Sequence, residues 1–249
     1  QLLKGYYTGS ERLSGSKLFE FCDRVAADLI GQNKFDMALC VYRYINSNVE
    51  SDFRLSAETG CLIKTENYTA ANILLQKWLE TVGESSEWYY QMSVLSYKMA
   101  SYEIAKQHVD AAIASDLKVD RVGLIKIKIE AALFKYDLVE KLGNELLEIN
   151  PEDAGVHQQL CYVLLSQCRW QEAFQHMPYR QQSKLRTTEL LRLNHGLSQW
   201  QGQINGNNLL LVSEQGLGDQ VRYAFFLKFF VSEFAGGSLA VDKRLASIM

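Results

Sequence analysis

The sequence predicts a mainly α chain: an α-solenoid of helix pairs, followed by a short α/β segment. Three observations predict it. First, an aromatic residue followed three positions later by a small or β-branched one recurs at Phe35/Ala38, Tyr68/Ala71, Tyr102/Ala105, Tyr136/Val139 and Trp170/Ala173. The aromatics lie 33, 34, 34 and 34 residues apart, and such a period marks an array of like supersecondary units. Second, the chain has only two prolines, Pro151 and Pro178, so long uninterrupted helices are allowed. Third, Leu209–Val212 is a short apolar run followed by a polar turn with two glycines. Helical spacing then sets in at Val221, Ala224, Phe225 and Lys228. That order reads as buried strand, tight loop and helix.

Residues 1–18 precede the first repeat. Five units then follow, at about 19–51, 52–85, 86–119, 120–153 and 154–182. In each, apolar residues at helical spacing lie before and after the aromatic. In the third unit Tyr89, Met92, Val94 and Leu95 precede Tyr102, and Ala105, Val109, Ala112 and Ile113 follow it. This predicts two antiparallel helices joined by a short turn, with the aromatic plugging the gap and the Ala105-type residue allowing close approach. Pro178 is expected to end or kink the last helix. Residues 183–199 form a linker in which Leu185, Leu190, Leu191 and Leu193 have the spacing of a capping helix. Asn205–Asn208 is a turn that opens the last segment, residues 200–249. There Gly236-Gly237 is expected as a turn and Ser238–Val241 as a second strand. A strand–helix–strand order with this connection implies a parallel pair.

Composition narrows the function classes. A net charge of −3 gives no basic footprint and argues against nucleic acid. The five cysteines, Cys22, Cys40, Cys61, Cys161 and Cys168, are odd in number and have no CxxC spacing. They are expected as small buried hydrophobes in a reducing, cytoplasmic compartment, not as a metal site. No apolar run reaches the length of a membrane span.

The loop Glu214-Gln215-Gly216-Leu217-Gly218-Asp219 carries the chemistry that a sequence can suggest. Gly216 and Gly218 allow positive φ and close approach of another molecule. The helix that follows offers unpaired N–H groups to a polar or anionic ligand. Asp219, at the helix start, has two readings: a helix cap accepting a backbone N–H, or a general base for a substrate hydroxyl.

The repeated units resemble the tetratricopeptide repeat. Tyr42 and Pro151 also fit its pattern, whereas Ile127, Trp78 and Gly143 depart from it. Units of this kind stack into a superhelix with a concave groove that binds a partner segment. By that resemblance the groove carries Asp23, Ser56, Lys64, Tyr90, Tyr97, Lys98, Lys128, Gln158 and Tyr162. Interleaved tyrosines and lysines form a surface for an acidic or mixed peptide, or else a solvated face. Neither the carboxylate-clamp pattern nor the asparagine ladder known in other repeats of this kind is present.

The segment from Trp200 onward resembles the start of the glycosyltransferase-like domain that follows tetratricopeptide repeats in a bacterial family. Trp200, Gly202, Leu209–Val212, Glu214, Gln215, Gly216, Leu217, Gly218, Asp219 and Tyr223 carry the likeness. The Leu-Gly-Asp part also resembles the first loop of heptosyltransferases, built from two Rossmann-like domains. The resemblance implies Asp219 as the base on an acceptor sugar hydroxyl, with Glu214 and Gln215 lining the cleft. Only about 50 residues of such a domain are present, so no cofactor is expected here. The resemblance implies a nucleotide sugar only for a longer parent protein. The alternative is a non-catalytic scaffold in which the small sheet serves as a cap, or as an exposed edge for self-association.

Overall fold

The computed structural model describes residues 16–47, 51–182, 208–212, 218, 220–222, 224, 226–227, 234, 236–240 and 243–245. The chain divides into two units, Gln1–Met177 and Pro178–Met249.

The first unit holds the five expected helix pairs. They are α1 (Ser16–Gly31) with α2 (Phe35–Asn46), α3 (Asp52–Lys64) with α4 (Tyr68–Thr81), and α5 (Ser86–Lys98) with α6 (Tyr102–Ala114). The last two are α7 (Val119–Ala132) with α8 (Tyr136–Ile149), and α9 (Ala154–Ser166) with α10 (Trp170–His176). Every second helix starts on the periodic aromatic. Several first helices start at a side-chain cap: the Ser51 Oγ accepts from the Arg54 N–H, the Ser85 Oγ from the Trp88 N–H, and the Asp153 carboxylate from the Gly155 and Val156 N–H groups. These caps satisfy amides that have no intrahelical partner. Pro178 acts as expected, since α10 ends at His176 and a 3-10 segment, Met177–Gln182, takes over.

The turn inside each pair repeats as closely as the aromatic does. Asn33, Glu66, Ala100, Phe134 and Cys168 all have φ between 58° and 60°. Each sits two residues before the aromatic. The following N–H bonds a carbonyl five residues back: Lys34 to Leu29, Asn67 to Leu62, Ser101 to Ser96, Lys135 to Glu130, and Arg169 to Leu164. This left-handed cap closes the first helix and turns the chain back in two residues. None of the five is glycine.

The core lies between the helix pairs. Ala38, Ala71, Ala105, Val139 and Ala173 are all fully buried, as the spacing predicts. The residues that depart from the repeat pattern are accommodated locally. Trp78 is fully buried, and its indole N–H donates to the Asp52 carboxylate. Ile127 is buried in the cluster of α7, α8 and α9. At Gly143 a Cβ would lie 2.7 Å from Leu160 Cδ2, so Leu160 fills the space of the missing large side chain.

Two expectations are corrected here. Cys22, Cys61 and Cys161 are buried, but Cys40 and Cys168 are exposed. Cys168 occupies a left-handed turn position and Cys40 an outward face of α2, and neither position points into the packing between helices. The aromatic plug fails in the fifth unit, where Trp170 is 54% exposed. In units one to four the next first helix packs against the second helix; among the described residues only α9 packs against α10 to that extent.

The second unit contains β1 (Asn208–Val212) and β2 (Gly236–Ala240), paired in parallel with Asn208 opposite Gly236 and Val212 opposite Ala240. The parallel pairing agrees with the expected crossover. Gly236 and Gly237 are not a turn but the start of β2. A Cβ at Gly237 would come within 2.7 Å of the Leu209 carbonyl oxygen, so the pairing itself demands a residue without one. Between the strands, Gly218, Gln220–Arg222, Ala224, Phe226 and Leu227 are helical.

Candidate functional site

The helices α1, α3, α5, α7 and α9 are the first members of the five pairs. Packing puts most of them in one layer: α3 contacts α5, α5 contacts α7, and α7 contacts α9. Among the described residues no two successive second helices make a comparable contact. The first helices are therefore the tighter, inner side of the stack. Their free face is the candidate partner-binding surface, and it has two parts of different electrostatic character.

One part is closed by bonds between units. The Arg54 guanidinium donates to both Asp23 oxygens, at 3.1 and 3.2 Å from Nε and 2.7 Å from Nη2. It also lies 5.7 Å from the centre of the Phe19 ring. One unit further on, the Ser56 hydroxyl donates to Glu87 at 2.9 Å and accepts from the Gln91 amide at 2.9 Å. The Arg121 guanidinium donates to the same Glu87 at 2.6 Å and covers the Tyr90 ring at 5.6 Å. The expected groove residues Asp23, Ser56 and Tyr90 are thus tied into contacts that staple one unit to the next.

The other part is open. Lys64 and Lys98 are exposed at the last positions of α3 and α5, and Lys128 is partly buried in α7. None of the three has an ion-pair partner among the described residues. Packing of α3 on α5, and of α5 on α7, sets the helices that carry them side by side. Burial holds the Lys128 ammonium below its ordinary range, and the charges of Lys64 and Lys98 lower it further, against an opposing pull from Asp153. The helix C-termini that carry Lys64 and Lys98 favour a cation but leave the group without a counter-charge.

Tyr97 is partly buried, packed against the cluster that contains Val109 and Ile129, with its ring 5.7 Å from that of Tyr102. Burial raises the phenols of both Tyr90 and Tyr97. On α9 the Gln158 amide donates to the Tyr162 hydroxyl at 2.9 Å, and Tyr162 is 55% exposed. Lys64, Lys98, Lys128, Gln158 and Tyr162 therefore remain available to a partner, whereas Tyr90 and Tyr97 are largely structural. Sequence reasoning missed Arg54, Glu87 and Arg121. The signal was there: Glu87 and Arg121, opposite in charge, stand 34 residues apart, one repeat period.

No family model matches the sequence, and no curated protein does. Solved structures share the architecture, among them two with TM-scores above 0.5. A thermophilic TPR protein of Thermus thermophilus matches with a TM-score of 0.60 at 15% identity, over 70% of this chain and 96% of that one. The fold is a tetratricopeptide-repeat solenoid. A chain of the APC/C hetero-tetramer Cut9–Hcn1 matches with a TM-score of 0.58 at 15% identity, over 71% of this chain. This chain spans only 36% of that protein's length. At such identities the likeness is one of fold. Among the described residues, no helix of the repeat array or of the second unit is long and apolar enough to cross a membrane.

In the second unit, Glu214, Gln215, Gly216 and Asp219 lie outside the described residues. Gly218 is described; it is exposed and helical, and among the described residues beyond its own helix nothing lies within 4 Å of where a Cβ would stand. The positive φ that glycine would permit is not used at Gly218.

Proposed function

We propose that the repeat array is a protein-interaction module whose first-helix face holds a polypeptide segment of a partner. The observation that carries this is the open half of that face. Three lysines, Tyr162 and Gln158 stand ready there without competing contacts between units, beside a half that the Asp23–Arg54 and Glu87–Arg121 pairs have already closed. A repeat solenoid presents such a face rigidly, so a bound segment loses its own freedom but little of the protein's.

The test is a selection from a library of random peptides about twelve residues long, an extended span of about 40 Å. Enriched peptides should lose about tenfold or more in affinity on Tyr162→Ala with Gln158→Ala, the scale of one hot spot. Enrichment of nothing, or of peptides indifferent to those changes, would remove the first-helix face as the binding surface.

A finer reading concerns the parent protein. We infer that the array is the N-terminal part of a glycosyltransferase-like protein, with the face docking a partner or a protein acceptor. The resemblance of Glu214–Asp219 to a sugar-transfer loop supports it, as does a parallel strand pair with helical residues between. Asp219 would act as the base on an acceptor hydroxyl, and a nucleotide sugar would be the donor. Asp219→Asn in the parent protein should abolish transfer while leaving the fold intact. Unchanged transfer would leave Asp219 a helix cap and favour a non-catalytic scaffold.

A further inference from the structure

The open half of the first-helix face has a chemical preference of its own. Its groups come from three successive repeats: Lys64 on α3, Lys98 on α5 and Lys128 on α7. All three charges are positive, the helices that carry them pack side by side, and no described carboxylate pairs with them. Asp153 is the one favourable charge felt by Lys128, yet its Oδ1 is occupied by the Gly155 and Val156 N–H groups at 2.9 and 3.0 Å. Elsewhere the array neutralises its buried and half-buried charges. Glu130 is met by Lys106 and Lys135, Asp110 by Lys106 and Lys126, and Asp23 by Arg54. In a chain of net charge −3, an unpaired cationic group on the one inner face is the exception.

We propose that Lys64, Lys98 and Lys128 form a cationic subsite that takes the carboxylate side chains of an acidic segment of the partner polypeptide. This rests on the reading of the face as a polypeptide-binding surface. Packed helices stand about 8–10 Å apart, so α3 to α7 covers about 20 Å. An extended chain of about six residues spans that distance. A single small anion would reach only part of it, whereas alternate acidic side chains on one strand face match successive lysines. A carboxylate brought here removes the mutual repulsion of the three ammonium groups, and this gain exists only in the complex. The Coulomb contribution is strengthened by the partly buried setting of Lys128.

The same peptide selection tests the charge, carried out in parallel on the unmodified protein, on Lys64→Glu with Lys98→Glu, and on Lys141→Glu. Lys64 and Lys98 are exposed, so the variants should fold, as circular dichroism would verify. Lys141 is exposed on α8, outside the first-helix layer. The unmodified protein should enrich Asp- and Glu-rich peptides. Their affinity should fall about tenfold or more on the double variant and stay within about twofold on Lys141→Glu. It should also weaken as salt rises from about 0.05 to 0.3 M, where the screening length shortens. Enriched peptides that depend on Tyr162 but carry no acidic bias would overturn the subsite and leave the binding face standing. Equal losses on Lys141→Glu would also overturn it, because only the overall field would then be at work. Displacement of the peptides by inorganic phosphate at matched ionic strength would make it a phosphate site. No Tyr162-dependent peptide at all would overturn the face and the subsite together.

Discussion

The imidazoles of His157 and His176 meet Nδ1 to Nδ1 at 2.7 Å, where the last turn of α10 returns to the start of α9. The other nitrogen of His157 lies 2.9 Å from the Pro151 carbonyl oxygen, which can only accept. His157 Nε2 is therefore the donor, its neutral Nδ1 accepts, and His176 Nδ1–H donates.

That arrangement makes the array sensitive to acid. Burial, and secondly the neighbouring His157, hold His176 below the ordinary imidazole range. The unfolded chain then takes up this proton at a higher pH than the folded one. The contribution is complete above about pH 6.5 and is lost as pH falls below it toward the folded value. Thermal melts should show Tm falling between about pH 7.5 and 5.5, and His176→Gln should flatten part of that fall. Parallel curves for the two proteins would contradict the assignment.

The five left-handed turns predict where the array can be stabilised. Ala100 has φ 59°, which a Cβ disfavours. Ala100→Gly should gain about 0.5–1 kcal/mol in urea unfolding, after the added freedom of the unfolded chain is offset. At Asn33, a residue type that tolerates this conformation, the same change should do much less. A loss of stability at Ala100 would show that the turn is not strained.

Buried charge between α6 and α7 gives an asymmetric prediction. Glu130 is 0% exposed, and its carboxylate lies 3.3 Å from Lys106 and 3.7 Å from Lys135, with neither oxygen hydrogen-bonded. Lys106→Met should cost about 1–3 kcal/mol by stranding a buried carboxylate. Adding Glu130→Leu should restore most of it, because the remaining lysines reach solvent. Additive losses in the double-mutant cycle would mean that the two residues are independent.

Close helix packing sets a steric prediction. A Cβ on buried Gly123 would lie 2.6 Å from both methyl carbons of Leu146. Gly123→Val should destabilise by about 1–3 kcal/mol, the usual scale of overpacking. Pairing it with Leu146→Ala should recover part of the loss. No change on Gly123→Val would show slack between α7 and α8.

Much of this architecture was legible in the chain. The aromatic period placed every second helix, because each unit must present the same plug to the same gap. Strand pairing is legible too, but in the sequence Gly236-Gly237 has the look of a turn. Glycine has two uses, and only the Leu209 carbonyl distinguishes close approach from positive φ. On the binding face the lysines were legible as charges, but their isolation was not. It depends on Arg54 pairing with Asp23, and Arg121 with Glu87, across repeats. Tyr90 illustrates the same point: its face is covered by Arg121, a residue of the next repeat.

The most direct test of the central claim is site-specific photo-crosslinking in cells of the source organism. A benzophenone side chain would be placed at Tyr162 on the first-helix face or, for comparison, at exposed Ile73 on α4. Peptide mapping of the adducts would then identify the captured segment. The account predicts one polypeptide segment, acidic in composition, captured from Tyr162 and absent from Ile73. Capture of a partner at Ile73 with none at Tyr162 would contradict it.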